Sequence, residues 1–157
     1  MTIQSPSTAT RPVVSVIILN YRCPEATVRC VRHLLAQSVA SEIEILVVDN
    51  HSGDDSIGVF RNRFGEFPSV RIIEAPRNLG FGGGCNLGAR AARGQFLLIN
   101  NPDKLLEDGG IGKLIERMEN DDTIGIIGPA LVHADGTLTD SEAADFAVRL
   151  RERLLTA

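Results

Sequence analysis

Residues 13–20 read VVSVIILN, an apolar and largely β-branched run of strand length. Because successive positions are apolar, the run is typical of a central strand in a parallel sheet, both faces of which are buried. The same pattern returns in residues 43–50 (IEILVVDN) and 96–103 (FLLINNPD), and each of these runs also ends in Asn or Asp. Apolar residues at helical spacing occupy the intervals between the runs. The sequence therefore predicts an α/β fold, a mostly parallel sheet flanked by helices.

The predicted strands and helices alternate along most of the chain. We predict strands at residues 13–19, 43–48, 70–73, 96–99 and 124–127, and helices at residues 24–37, 56–64, 85–93 and around 111–118. Residues 1–12 are polar and rich in Ser, Thr and Pro, which predicts a disordered leader. The domain itself is predicted to span residues 13–141, and the stripe of Phe146, Leu150 and Leu154 predicts a C-terminal helix within residues 142–157.

The composition excludes several classes of function. The chain has 157 residues, 43% of them hydrophobic and 23% charged, which is typical of one soluble globular domain. A net charge of −4, no Trp and one Tyr argue against a nucleic-acid-binding surface. No apolar run approaches the roughly 18 residues of a membrane span. We therefore expect a cytoplasmic protein with no transmembrane segment, which leaves peripheral association with a membrane open.

Polar residues stand where the first two predicted strands end. In open α/β sheets, ligands bind at the carboxyl ends of the strands, and Asn20, Asp49 and Asn50 occupy those positions, with Ser52 in the loop that follows. A carboxylate at such a strand end can accept hydrogen bonds from a uracil-like or thymine-like base edge or from a ribose. The alternative is that Asp49 and Ser52 cap the loop and helix that come after them.

A glycine-rich stretch, RNLGFGGGCNLG, covers residues 77–88. Glycine permits a positive φ and a close approach of a ligand to the backbone, and amides at the start of a helix can hold phosphate. A dinucleotide-binding G-x-G-x-x-G motif does not fit, because Cys85 or Leu87 occupies the position of its last glycine. The chain also lacks the G-x-x-x-x-G-K-[ST] motif of a P-loop.

The order of these segments resembles the nucleotide-sugar-binding half of a family 2 glycosyltransferase with the GT-A fold. Three motifs carry the resemblance: D-N-x-S-x-D-x-S from Asp49, N-x-G-x-x-x-x-x-N-x-G from Asn78, and the N-P-D of residues 101–103. The N-P-D variant is similar to that of a rhamnosyltransferase-like subgroup. The resemblance implies these nucleotide-sugar-binding residues: Asn20, Asp49, Asn50, Ser52, Asn78, Gly80, Gly82 and Asn101.

The resemblance also implies a divalent cation, Mg²⁺ or Mn²⁺, held against the sugar diphosphate. Asp103 is the implied metal ligand, and Asn101 replaces the first Asp of the family's D-x-D motif. Hard cations that bridge phosphates often need only one or two carboxylates. The alternative is that Asn-Pro-Asp is a turn after a strand. Lys104 follows directly, and it either weakens metal binding or pairs with phosphate itself.

The implied function is transfer of a hexose or a deoxyhexose such as rhamnose from a UDP- or dTDP-sugar to a glycan or lipid-linked acceptor, by an inverting displacement. The resemblance extends over residues 13–141, so the fold is expected to be truncated at the acceptor half. None of Asp140, Glu142 and Asp145 stands in the family's base motif, and the catalytic residues stay unassigned. Two hypotheses follow: a transferase completed by a partner chain or a second copy (a homo-oligomer), or a nucleotide-sugar-binding protein without transferase activity.

Overall fold

The computed structural model describes residues 11–130 and the backbone of residues 146–149. Within this part the chain forms one sheet with helices on both faces. The strands are β1 (Val14–Asn20), β2 (Ile43–Asp49), β3 (Val70–Glu74), β4 (Phe96–Asn100), β5 (Ile126–Ile127) and β6 (Phe146–Arg149). The helices are α1 (Pro24–Leu35), α2 (Ser56–Phe64), α3 (Gly80–Ala91) and α4 (Gly110–Glu119).

The sheet has the strand order β3-β2-β1-β4-β6-β5. The strands β3, β2, β1 and β4 run parallel, because a helix follows each of the first three and returns the chain to the same end of the sheet. In this register Asn20 lies beside Asp49 at the carboxyl edge. β6 pairs antiparallel with β4, and β5 pairs antiparallel with β6. The predicted mostly parallel α/β architecture is confirmed.

Both faces of the parallel strands are buried, which explains their continuous apolar character. One face, which includes Val16 and Ile45, packs against α1, α2 and α4. The other face, which includes Ile17 and Val48, packs against α3. At about 25 cal/mol per Å² of apolar surface, burial of this kind is the main contribution that holds the layers together.

The glycine-rich stretch is helical earlier than predicted, since α3 begins at Gly80 and not at Cys85. Two of its glycines are needed for packing. A Cβ on Gly84 would overlap the Cδ1 atom of Leu19, and a Cβ on Gly88 would lie 2.8 Å from the Cγ2 atom of Ile17. The absence of side chains at these positions lets α3 lie directly on the sheet.

The helix predicted within residues 142–157 is wrong for residues 146–149, where the structure has the strand β6. Phe-Ala-Val-Arg is short enough for either conformation, and the open edge of β4 offers backbone partners that a helix would leave unused. The other residues of that segment, and residues 1–10 of the predicted leader, lie outside the described part of the chain.

Candidate functional site

Asp49 lies at the end of β2, where its carboxylate accepts hydrogen bonds from other groups of the protein. Asn20 donates from Nδ2 to Asp49 Oδ1 at 2.7 Å, and the hydroxyl of Ser52 donates to the same oxygen at 2.5 Å. The backbone N–H of Ser52 donates to Asp49 Oδ2 at 3.0 Å. A carboxylate offers about four acceptor positions, so one on Oδ2 is left over from this set. Asp49 therefore does cap the loop that follows it, as the alternative drawn from the sequence expected.

Ser52 joins the ends of β1 and β2. Its hydroxyl oxygen accepts the backbone N–H of Arg22 at 3.0 Å, and its carbonyl oxygen accepts Nε of Arg22 at 3.0 Å. Arg22 and His51 have φ values of 56° and 61°, and they are the non-glycine residues with left-handed backbone in the described part of the chain. Such backbone costs about 1–3 kcal/mol and persists where surrounding contacts over-determine it. The strained turns lie directly after β1 and β2, at the edge where polar residues collect.

Asn20 is fully buried and serves mainly to orient Asp49. Its Oδ1 atom accepts the hydroxyl of Thr27 at 2.9 Å and faces Sγ of Cys23 at 3.5 Å. Neither Thr27 nor Cys23 was predicted from the sequence to belong to this site. Thr27 could have been found from its position, because it is a polar residue in the buried stripe of α1 that also contains Cys30, Val31 and Leu34.

Asn50 ties the end of β2 to the start of α3. Its Oδ1 accepts the backbone N–H of Leu79 at 2.9 Å, and its Nδ2 donates to Asn78 Oδ1 at 3.1 Å. Asn78 in turn accepts the backbone N–H of Gly80 at 2.8 Å. Gly80 has a φ of 70°, which only glycine adopts readily. The side chains of Asn50 and Asn78 thus fix the direction in which α3 leaves the edge of the sheet.

The first turn of α3 is open to solvent at this edge. Phe81 and Gly82 are exposed, and a Cβ on Gly82 would meet no protein atom within 4 Å. The N–H groups of a helix's first turn have no acceptor within the helix, and they carry the positive end of its dipole. Since the protein's own packing does not require glycine at position 82, the free space above this turn is available to an anionic ligand.

The Asn-Pro-Asp segment forms a turn just after β4. The carbonyl of Asn101 accepts the backbone N–H of Lys104 at 3.1 Å, with Pro102 at the second position, where its φ suits the turn. The side chain of Asp103 is 66% exposed, and its Oδ2 lies 3.8 Å from Nζ of Lys104. The alternative of a turn is therefore correct for the backbone, and it leaves the carboxylate of Asp103 accessible.

The oxygen atoms at this edge suit a metal cation that is coordinated partly by the protein and partly by a bound ligand. The described residues hold no group of three or more His, Cys, Asp or Glu side chains that could enclose a metal ion. Asp103 is an accessible hard oxygen ligand, whereas Asp49 is 3% exposed and already engaged. Mg²⁺ and similar ions often bind through one or two carboxylates, several waters and the phosphates of a substrate. The arrangement suits that mode and does not suit a closed protein cage.

Cys85 lies close to the glycine-rich turn, but it is packed among apolar side chains of the sheet. Burial raises the pKa of its thiol. Because the thiolate is the nucleophilic form, this environment opposes nucleophilic chemistry at Cys85.

Comparison with known proteins decides the family. The family model described as glycosyl transferase family 2 matches residues 15–155. The chain belongs to this family. Chondroitin synthase of Escherichia coli is 27% identical over 157 residues, 99% of this chain. The succinoglycan biosynthesis protein ExoO of Rhizobium meliloti is 31% identical over 108 residues, 69% of this chain.

Solved structures share the fold of this family 2 chain. A mannosyltransferase from Pyrobaculum calidifontis, in complex with GDP-Man and Mn²⁺, has a TM-score of 0.75 at 18% identity over 90% of this chain. Residues 1–349 of TarS from S. aureus, in complex with UDP-GlcNAc, have a TM-score of 0.66 at 19% identity over 82% of this chain.

The chain spans only part of the length of these relatives. It covers 22% of the E. coli chondroitin synthase, 30% of ExoO and 46% of the P. calidifontis mannosyltransferase. Among the described residues, no helix is both long enough and apolar enough to cross a membrane.

Proposed function

We propose that this family 2 chain binds a nucleoside diphosphate sugar along the carboxyl edge of its sheet and provides the donor site for glycosyl transfer. The observation that carries the proposal is that the buried Asn20–Asp49–Ser52 network, the open first turn of α3 and the exposed Asp103 all lie at this edge. Two proteins of the same fold were solved with GDP-Man and UDP-GlcNAc, which supports this class of ligand.

In this proposal the nucleoside lies against the ends of β1 and β2. Asp49 offers its remaining acceptor position on Oδ2 to a base N–H or a ribose hydroxyl. Asn20 and Ser52 hold the carboxylate in place and satisfy its other positions. A pre-organised acceptor of this kind loses little conformational entropy when the ligand binds. A uracil or thymine edge, which presents one N–H, suits a single acceptor, so a UDP- or dTDP-sugar is the preferred donor.

The diphosphate lies over the first turn of α3. The net charge of −4 means that an anion needs local stabilisation. The backbone N–H groups of Phe81 and Gly82 provide it at the helix start, and Asn50, Asn78 and Gly80 set the direction of that turn.

Asp103 is the proposed ligand of a divalent cation, Mg²⁺ or Mn²⁺, with Asn101 beside it on the same turn. When bound, the cation supplies charge neutralisation on the leaving diphosphate. Lys104, whose Nζ lies 3.8 Å from Oδ2 of Asp103, is then free to pair with phosphate. The structure of the P. calidifontis mannosyltransferase includes Mn²⁺, which supports a role for such a cation.

The complete reaction would be an inverting displacement by an acceptor hydroxyl. The sugar is proposed to be a hexose or a deoxyhexose such as rhamnose, on the resemblance of the N-P-D motif to that of a rhamnosyltransferase-like subgroup. No residue of this chain is assigned as the base that deprotonates the acceptor, so the proposal includes completion by a partner chain or a second copy. We place the reaction in the cytoplasm, with peripheral membrane contact where the acceptor is lipid-linked.

Calorimetric titration of UDP-, dTDP- and GDP-sugars, each with and without Mn²⁺, tests the proposal. We expect one nucleotide to bind and its affinity to increase with Mn²⁺. If a folded sample binds none of them, the donor site is refuted. If binding occurs without transfer to any glycan or lipid-linked acceptor, the chain is a nucleotide-sugar-binding protein without transferase activity.

Gly82→Ala should separate donor binding from stability. The new methyl group meets no protein atom, so replacing a helical glycine should raise the free energy of unfolding by up to about 1 kcal/mol. The same methyl group stands where the diphosphate is proposed to lie. We expect donor affinity to fall about tenfold, which is about 1.4 kcal/mol.

Gly112→Ala is the matched control, since Gly112 is also helical and a Cβ there also meets no atom within 4 Å. It should stabilise the protein similarly and leave donor affinity unchanged. Equal donor affinities in the two variants would contradict the placement of the diphosphate over α3.

A further inference from the structure

The loop at residues 101–109, which carries Asp103, is held by His33 in the last turn of α1 and by Gln37 just after that helix. The carbonyl of Leu106 accepts a hydrogen bond from Nε2 of His33 at 2.6 Å and another from Nε2 of Gln37 at 2.8 Å. Because a carbonyl can only accept, the His33 ring must carry its proton on Nε2 in this contact. The two donors fill both lone pairs of the Leu106 oxygen.

Further contacts fix the two ends of the same loop. At its start, Nδ2 of Asn100 donates to the carbonyls of Asn101 at 2.9 Å and Lys104 at 3.2 Å. At its end, the backbone N–H and the hydroxyl of Ser38 each donate to Oδ1 of Asp108 at 2.9 Å. These two donors lower the pKa of Asp108 below its usual value, so it accepts them as a carboxylate at neutral pH.

The end of α1 lies next to this loop. His33 is in the last turn of the helix and Gln37 follows its end by two residues, and both reach the same carbonyl oxygen. Leu106 is 8% exposed, and its side chain belongs to the apolar cluster that also contains Leu34 of α1. The loop has no regular structure, so its path between β4 and α4 depends on side-chain contacts such as these.

We infer that His33 and Gln37 are positioning residues for Asp103: they hold the Leu106 carbonyl so that the Asp103 carboxylate is presented at a fixed place after the carboxyl end of β4, the neighbour of β1 in the sheet. This inference rests on the proposed function, because it assigns to His33 and Gln37 the control of cation affinity at that site. Removal of outer contacts that orient a metal ligand typically weakens metal binding by about 10–100-fold. His33 and Gln37 touch neither the cation nor the nucleotide.

A set of variants at these two positions tests the inference. His33→Leu and Gln37→Leu remove one donor each, whereas His33→Gln keeps an N–H donor at a similar reach from the backbone. For each protein, free Mn²⁺ is measured by electron paramagnetic resonance in the presence of the nucleoside diphosphate (UDP, dTDP or GDP) that the wild type binds best. Affinity for that nucleotide without metal is measured by calorimetry, and the melting temperature is recorded.

We expect both Leu variants to bind Mn²⁺ about tenfold more weakly, and His33→Gln to stay within about twofold of the wild type. Nucleotide affinity without metal should be unchanged in all three, because the Asn20–Asp49–Ser52 network includes neither His33 nor Gln37. If the two residues had a purely structural role, the affinities for Mn²⁺ and for the nucleotide without metal would fall together, or His33→Gln would bind Mn²⁺ as weakly as His33→Leu.

The outcomes separate the two proposals. If the wild type shows no Mn²⁺-dependent binding, the proposed cation site fails and this inference fails with it. If the wild type binds Mn²⁺ and both Leu variants match it, the positioning role alone is overturned. Gln37 is 5% exposed, so Gln37→Leu is the variant more liable to misfold. In that case the comparison of His33→Leu with His33→Gln, at a partly exposed position, tests the inference by itself.

Discussion

Asp103→Asn is expected to reduce Mn²⁺-dependent binding of the donor by more than about 100-fold. Loss of a residue that only orients a metal ligand typically weakens metal binding by about 10–100-fold, and loss of the ligand itself should weaken it more. The reason is that Asp103 is the one accessible carboxylate that we assign to the cation, and an amide has no charge to offer it. The side chain is 66% exposed and pairs only loosely with Lys104, so the melting temperature should not change. Calorimetry with and without Mn²⁺ measures the effect.

Glu107→Gln is the control for Asp103→Asn, because it removes one negative charge from an exposed side chain of the same loop. It should bind Mn²⁺ and donor like the wild type. If Asp103→Asn retained metal-dependent affinity, or if both variants lost it equally, the assignment of Asp103 as the ligand would be wrong.

Asp49→Ala is expected to lower the free energy of unfolding by about 2–4 kcal/mol, because it leaves buried donors on Asn20 and Ser52 without their charged acceptor. For a chain of this length that corresponds to a fall of about 10 °C in the melting temperature. Donor binding should be lost as well, since the acceptor proposed for the nucleoside is removed. Thermal unfolding and calorimetry measure the two effects.

Asp55→Ala provides the comparison for Asp49→Ala. Asp55 precedes α2, is exposed, and makes no side-chain capping hydrogen bond to that helix. The change should cost no more than about 0.5 kcal/mol, as is usual for surface positions. An Asp49→Ala protein as stable as Asp55→Ala would mean that the buried network contributes little to the fold.

The strands were predictable because their burial on both faces imposes a pattern that can be read locally. Apolar side chains at successive positions, as in residues 45–48, suit a strand with helices on both sides, and the structure confirms this for β1, β2 and β4. The bounds of α2 also agree with the prediction of residues 56–64.

The glycine-rich segment and residues 146–149 were not predictable in the same way. Glycine has a low helix propensity, so the sequence favoured a loop before Cys85. Contact with Leu19 and Ile17 of β1 decides otherwise, because the helix can approach the sheet only where side chains are absent. For β6, the deciding factor is the free edge of β4, which is distant in sequence.

The same distinction applies to the candidate site, whose location was predictable and whose side-chain orientations were not. From the sequence, Asn20, Asp49, Asn50, Ser52, Asn78, Asn101 and Asp103 were expected near one edge of the sheet, and the register of β1 and β2 places Asn20 beside Asp49. The sequence could not show which side chains point inward. Asn20, Asn50 and Ser52 are buried in contacts with the protein itself, whereas Asp103 and Gly82 are open to a ligand.

By itself, then, the sequence determined the fold class, the family and the edge of the sheet at which polar groups gather, since each of these depends on residue order and short-range periodicity. The tertiary structure alone decided which of those groups support one another, and that His33 and Gln37 hold the loop of Asp103 through the carbonyl of Leu106. The physical reason is that hydrogen bonds such as Gln37 to Leu106 join residues distant in the chain, and their geometry exists only once the layers have packed.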